Sequence, residues 1–197
     1  MSKIYVVMGK SASGKDTIYK RLLQEKRLGL KKIVPYTTRP IRQNETNGVE
    51  YFFVTENELK KLQQQGKVIE TRCYETVYGK WYYFTADDKQ VVLEKENYVM
   101  ITTLEGYKKI RDYYGKDRVV PIYIEVEDGL RLERALKREQ KEAQPKYKEM
   151  CRRFIADSED FSEENLMALQ IQKRYENTDF ELCLSQIIED IENEVSL

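Results

Sequence analysis

The sequence predicts an α/β fold built on a parallel sheet and interrupted by two insertions, and three observations carry that expectation. Apolar runs rich in β-branched residues recur at residues 3–8 (KIYVVM), 98–103 (YVMITT) and 119–126 (VVPIYIEV), with the scarcity of charge expected of strands covered on both faces. Helical stretches alternate with these runs, as they do when a parallel sheet is wound with crossover helices. The first run meets Gly9 directly and is followed by Ile18, Leu22 and Leu23 at helical spacing, so the chain opens as strand, glycine loop and helix.

The next extended stretch lies around residues 32–34. Pro40 and the Asn47-Gly48 pair then mark turns, and residues 50–54 read as a strand. Residues 56–65 are a predicted short helix stopping at Gly66, and residues 68–83, rich in Tyr, Val and Thr, turn at Gly79. This middle region is expected to be a small mixed β insert. Beyond it come predicted helices at residues 104–114, 130–138, 149–161 and 164–175, with a charged segment at 139–148. Residues 180–195 (FELCLSQIIEDIENEV) close the chain as a helix with one apolar face.

Composition narrows the function. A chain of 197 residues fits one domain with small insertions, and its 34 basic residues balance 34 acidic ones, so no global field draws it to nucleic acid or an anionic membrane. Any anion site is therefore local. The sequence has no His, which removes His-based proton transfer, Ser-His and Cys-His catalysis and every His-containing metal set. Cys73, Cys151 and Cys183 lack CxxC spacing and point to a reducing cytoplasm rather than a disulfide framework. No window approaches the ~20 apolar residues of a membrane span, and no protein partner is indicated.

Gly9-Lys10-Ser11-Ala12-Ser13-Gly14-Lys15 matches GxxxxGK between a predicted strand and a predicted helix, the pattern of a phosphate loop. Small side chains at Ser11, Ala12 and Ser13 let the backbone amides turn toward phosphate oxygens. The helix beginning near Lys15 aims the positive end of its dipole at the same place. Residues 9–17, ending in Asp16 and Thr17, are the expected ATP site, with Lys15 bridging the outer phosphates. Asp16 stands where Ser or Thr ordinarily ligates Mg2+. Its carboxylate is a hard-oxygen donor and the expected metal ligand, but it adds a negative charge beside a polyphosphate.

A second anion site is expected at Thr37-Thr38-Arg39-Pro40-Ile41-Arg42, followed by Glu45, Asn47-Gly48 and Tyr51. Arginine holds phosphate through paired hydrogen bonds and a Tyr hydroxyl adds a third donor, so the set fits a monoester phosphate. The bland alternative is a pair of surface arginines neutralised by Glu45 and Glu50. Together with the phosphate loop, this stretch resembles the guanylate kinase family. Its pattern T-T-R-x-x-R-x-x-E-x-x-G-x-x-Y-x-F-V is matched at every fixed position by residues 37–54.

The resemblance implies a nucleoside monophosphate kinase of P-loop NTPase fold, with ATP and Mg2+ as cofactors and GMP or a related monophosphate as acceptor. It implies a core of residues 1–34, 86–130 and 155–197, an NMP-binding insert at 35–85 and a helical lid at 131–154. Arg39, Arg42, Tyr51 and Tyr78 are then expected at the acceptor phosphate, with Glu45 among the substrate-binding residues and Glu70 at the donor edge of guanine. Arg134, Arg138 and Arg153 resemble the lid arginines that neutralise charge during transfer, and Asn177-Thr178-Asp179 resembles the stretch near the adenine of ATP.

Several positions depart from the family pattern. Pro35 and Tyr36 stand where a small hydroxyl residue helps read guanine, and Lys80 replaces the Ser or Thr after the Tyr-Gly pair. As a donor-only group, Lys80 can face guanine O6 or N7 or pair with Glu70, but it cannot accept from N1 or N2. Thr102, Thr103 and Glu105 stand where an LDID-type sequence places Asp. A kinase of ribose bisphosphate, similar at Gly14-Lys15-Asp16, and a nonenzymatic module binding a phosphorylated partner are the alternatives.

Overall fold

The computed structural model describes residues 2–76 and 79–195. From the N-terminus the chain forms β1 (Ile4–Met8), α1 (Lys15–Gln24), β2 (Lys31–Lys32), β3 (Tyr36–Thr37), β4 (Phe52–Phe53), α2 (Glu56–Gln64), β5 (Val68–Thr76) and β6 (Gly79–Ala86). It continues through β7 (Tyr98–Ile101), α3 (Leu104–Tyr114), β8 (Val119–Glu125), α4 (Asp128–Glu139), α5 (Tyr147–Asp160), α6 (Glu163–Ala168), β9 (Arg174–Glu176) and α7 (Phe180–Val195).

The central sheet has the order β2-β7-β1-β8-β9, with every pairing parallel. Strand alternation divides β1 between two cores. Ile4, Val6 and Met8 pack toward Leu104, Tyr107 and Ile110 of α3, whereas Tyr5 and Val7 meet Ile18 and Leu22 of α1 and Ile187 and Ile191 of α7. Both faces are thus covered, which is why these strands read as uninterrupted apolar runs. Strands formed before β8 lie on one side of β1 and those formed from β8 onward on the other, so a crevice opens at its carboxyl end. Gly9 begins the phosphate loop there.

A second sheet, β4-β3-β6-β5, comes from the middle of the chain. Leu59 of α2 packs against Phe84 and Ala86 on one of its faces. Helix α2 is fixed at its start by Thr55 and Glu58, which bond each other's backbone amides in a capping box.

The predicted helix at 164–175 is corrected. It stops at Ala168, Gln170 takes a left-handed φ of 59°, and residues 174–176 become β9, pairing Tyr175 with Ile124. The open edge of β8 supplies hydrogen bonds and burial that local periodicity does not reveal. The predicted strand at 50–54 shrinks to Phe52–Phe53, and the helix expected at 130–138 begins at Asp128, where Glu127 caps the amides of Gly129 and Leu130 at 2.9 and 3.0 Å.

Candidate active site

Gly9 to Gly14 wrap over the end of β1 in close contact with the neighbouring strands. A Cβ at Gly9 would stand 2.5 Å from the Ile124 carbonyl oxygen, and one at Gly14, where φ is +85°, would stand 2.4 Å from Asn177 Nδ2. Only glycine fits either position. Asn177, just past β9, donates from Nδ2 to the Ser13 carbonyl at 2.7 Å while its own amide donates to Glu125 O at 2.9 Å. Helix α1 starts at Lys15 with Gly14 as its cap, and among the described residues no side-chain cap bonds its first amides. These amides are therefore available to an anion. Lys15 Nζ lies 3.6 Å from Asp16 Oδ2, and the Asp16 side chain is 76% exposed. Thr17 is exposed on the first turn of α1.

Two residues on the loop's other flank escape sequence reasoning. Arg131, 1% exposed, donates from Nη1 to the Ser11 carbonyl at 3.2 Å. Asp157 accepts the Ser11 amide through Oδ2 at 2.6 Å. The backbone of Ser11 is thus held at its carbonyl by α4 and at its amide by α5. Arg131 also pairs with Asp128 at 2.8 Å and Asp157 at 3.8 Å, and stacks 4.3 Å above the Phe154 ring. Asp128 reaches Lys10 at 3.6 Å. The three-residue spacing of Asp128 and Arg131 was the available signal, but on a heavily charged helix it reads as a solvated pair. Asp157→Ala is expected to leave the Ser11 amide and one side of Arg131 unpaired, lowering stability by about 1–3 kcal/mol and weakening ATP binding. Thermal unfolding and calorimetric titration with ATP check both effects.

The second anion site is built on the β3–β4 connection. Arg39 is 4% exposed and makes a bidentate pair with Glu45, Nη1 to Oε2 at 2.7 Å and Nη2 to Oε1 at 2.5 Å. Its guanidinium lies over the rings of Tyr51 and Phe53, at 5.0 and 5.3 Å. The surface-pair alternative is therefore half right: Arg39 pairs with Glu45, but in a buried setting. Hydrogen bonds from Arg39, opposed by burial and reinforced by the Arg42 amide, pull the Glu45 carboxyl down to about 2. A depressed carboxyl pKa contributes stability that is present above its unfolded value of ~4.3 and is lost as pH falls through the folded value of about 2. Acid unfolding is accordingly expected between ~pH 4.3 and 2, and Glu45→Gln should remove part of that dependence in a pH series of thermal melts.

Glu70 and Lys80 do not meet. On β5 and β6 the cross-strand pairs are Glu70 with Thr85, Arg72 with Tyr83 and Glu75 with Lys80. Period-two alternation places Lys80 on the face opposite Glu70, at the far end of the pair of strands. Lys80 instead approaches Glu75 at 3.6 Å, with more than half its side chain in solvent. Of the two alternatives for Lys80, the pairing with Glu70 is corrected: Lys80 meets Glu75 instead. Glu70 is bonded by Arg72 and by Thr85 Oγ1, the latter at 2.9 Å. Tyr78 lies outside the described residues.

Three of the predicted arginines converge. Arg42, from the second sheet's loop, lines a cavity of about 630 Å3 with Arg138 of α4 and Arg153 of α5, and Lys146 joins them. Glu139, Glu142 and Glu149 line it as well. Hydrogen bonds from Arg152 and Arg153 hold the Glu149 carboxyl at about 2, so it remains ionised and orients Arg153 through a 2.9 Å contact. Arg134, one turn before Arg138, instead donates to the Asn177 carbonyl at 2.9 Å, beside the phosphate loop.

The sequence model of the guanylate kinase family matches residues 1–192. The chain belongs to the guanylate kinase family. The guanylate kinase of Malacoplasma penetrans is 30% identical over 156 residues, covering 77% of this chain and 76% of that one. That of Porphyromonas gingivalis is 32% identical over 126 residues, covering 63% of this chain and 65% of the relative, just under two thirds of its length. A crystal structure of guanylate kinase from Anaplasma phagocytophilum superposes with a TM-score of 0.64 at 23% identity, covering 98% of this chain and 86% of that one. The shared architecture is the α/β P-loop NTPase fold with a central parallel sheet.

Positions that depart from the guanylate kinase pattern have structural occupations here. Tyr36 lies between Phe52 and Phe84, at 4.8 and 5.0 Å, and its hydroxyl donates to Asp88 at 2.6 Å. It belongs to the core of the second sheet. Thr103 caps α3 by accepting the Gly106 amide at 3.2 Å, while Thr102 Oγ1 is buried without a hydrogen-bond partner among the described residues. Among the described residues no helix is long and apolar enough to cross a membrane.

Proposed function

We propose that the protein transfers the γ-phosphoryl group of ATP to the phosphate of a nucleoside monophosphate, with GMP as first acceptor. The observation that supports this reading is the convergence of Arg42 with Arg138 and Arg153 around one cavity. Phosphoryl transfer depends on positioning and charge neutralisation, and these are cations from separate elements around a shared space. Lys15 and the uncapped start of α1 hold the donor phosphates, Arg39, Arg42 and Tyr51 the acceptor phosphate, and the lid arginines stabilise charge as the group moves. Glu45 acts on the acceptor by fixing the fork of Arg39. The absence of His is no obstacle, because the reaction does not require a strong base.

Asp16 fits Mg2+, which binds through one or two carboxylates together with substrate phosphates. Its exposed carboxylate stands beside Lys15, where the outer phosphates would lie. The metal would supply charge neutralisation on those phosphates. In this reading residues 1–34, 86–130 and 155–197 are the core, 35–85 the insert and 131–154 the lid, the last boundary falling inside α5. The three free thiols support a cytoplasmic location.

A coupled ADP-release assay with ATP, Mg2+ and a panel of nucleoside monophosphates and sugar phosphates tests the proposal. Turnover with GMP is expected. Turnover with sugar phosphates alone would replace the acceptor, and ATP binding without any turnover would leave only a binding module.

A further inference from the structure

We infer that the Gln90 carboxamide pins the junction between the two sheets, holding the arginine site of Arg39 and Arg42 at a fixed distance from the phosphate loop, and that Gln90 is thereby a positioning residue for phosphoryl transfer. The last part rests on the kinase reading above. The chain first passes from the central sheet to the second sheet at residues 33–35. The Ile33 amide still donates to the Val99 carbonyl of β7 at 3.2 Å, and the Pro35 carbonyl already accepts the Phe52 amide of β4 at 2.9 Å. Val34 lies between the two ladders. Both of its peptide groups go to one side chain: its amide donates to Gln90 Oε1 at 2.8 Å, and Gln90 Nε2 donates to its carbonyl at 3.1 Å.

Gln90 belongs to the return passage between β6 and β7, so one carboxamide ties the two passages together. Asp88 sets its orientation by accepting from Gln90 Nε2 and from the Gln90 amide, each at 3.1 Å. A carboxylate only accepts, so the NH2 end faces Asp88 and the oxygen is left for the Val34 amide. Lys89, between them, takes a left-handed φ of 72°, a strained conformation for a residue with a Cβ, and the chain doubles back there. The two adjacent carboxylates are held from opposite sides. Asp88 accepts the hydroxyl of Tyr36 in the second sheet at 2.6 Å, and Asp87 accepts that of Tyr113 at 2.8 Å, on the helix α3 that packs against the central sheet.

The junction bears on the reaction because the two phosphate grips hang from different sheets. The phosphate loop leaves β1, and Arg39 follows β3. Pro35 has no N–H to offer, and Val34 before it takes its direction from Gln90. Transfer needs reacting atoms about 3–3.5 Å apart in line, and a misplacement of ~1 Å costs roughly 10²-fold.

Gln90→Glu keeps the size of the side chain and an acceptor for the Val34 amide, but at ~pH 8 it sets an ionised carboxylate against the Val34 carbonyl and Asp88. Its kcat with ATP and the acceptor is expected to fall about 10- to 100-fold, while the Kd of each nucleotide, measured by calorimetry, stays within about threefold, because both grips keep their own residues. Tyr113→Phe removes one exposed hydroxyl and frees Asp87 alone, so kcat is expected to fall about two- to tenfold in the same pattern; it carries the comparison should Gln90→Glu not fold. Spin labels at Lys20→Cys on α1 and Lys60→Cys on α2, both exposed, in a Cys73→Ser/Cys151→Ser protein whose remaining Cys183 is buried, report the distance between the sheets without requiring turnover. A narrow distance distribution in the parent that broadens or shifts in the variants supports the pin, and an unchanged distribution overturns it. Nucleotide affinities that fall together with kcat, or an unchanged kcat, overturn the positioning role. A broadened distribution in a protein whose parent turns over no phosphorylated acceptor would overturn the kinase reading and leave the pin standing.

Discussion

Lys15→Ala is expected to lower the rate of phosphoryl transfer by about 10²- to 10³-fold while leaving the fold intact. The two halves of that expectation have separate grounds. Lys15 sits at the first position of α1, where the helix's amides have no side-chain cap, so a bound polyphosphate meets both the helix end and this ammonium. Its folded-state partner is Asp16 at 3.6 Å, a largely exposed carboxylate on the same helix, and such pairs contribute ~1 kcal/mol at most. Steady-state turnover with ATP and GMP, together with a thermal melt, checks both. Unchanged turnover would remove the phosphate-loop assignment, and a collapsed melting temperature would show that Lys15 carries structure that its contacts do not account for.

Arg39→Ala and Arg42→Ala are expected to behave differently although the sequence presents them as a pair. Each should weaken the acceptor by roughly ten- to a hundredfold and leave ATP affinity unchanged, since a charge-assisted contact to phosphate contributes about 1.5–3 kcal/mol. Only Arg39→Ala should also destabilise the protein. Its removal strands the Glu45 carboxylate and uncovers the rings of Tyr51 and Phe53, at a cost of ~3 kcal/mol, the low end for breaking a buried pair. For a chain of this size that is a fall of roughly 6 to 12 °C in melting temperature. Arg42 lines the cavity with its side chain exposed, so Arg42→Ala should melt within experimental error of the parent. Arg39→Ala/Glu45→Ala should recover part of the lost stability without recovering the acceptor. If Arg39→Ala melts normally, the buried pair contributes nothing and Glu45 does not hold the fork.

Features whose physics is local were legible in the order of the residues. A phosphate loop needs glycine and small residues in consecutive positions between a strand and a helix, and residues 9–15 carry that in one stretch. Strands covered on both faces announce themselves as apolar runs, which made β1, β7 and β8 legible, and with them the α/β class. The arginine site of residues 37–54 was legible as a pattern for the same reason. Packing settles whatever depends on which face or which neighbour a side chain meets. Strand register alone sends Lys80 away from Glu70 and gives that carboxylate to Arg72. The free edge of β8 turns the end of a predicted helix into β9 and so brings Asn177 onto the loop. Burial separates Arg131, which grips Ser11 together with Asp157 from another helix, from the solvated arginines it resembles in sequence. Periodicity reports how a residue relates to its own element. Whether a charge is solvated, paired or poised over a cavity is set by elements far away in the chain, because the desolvation of a charge and its repayment by a partner are properties of the packed interior.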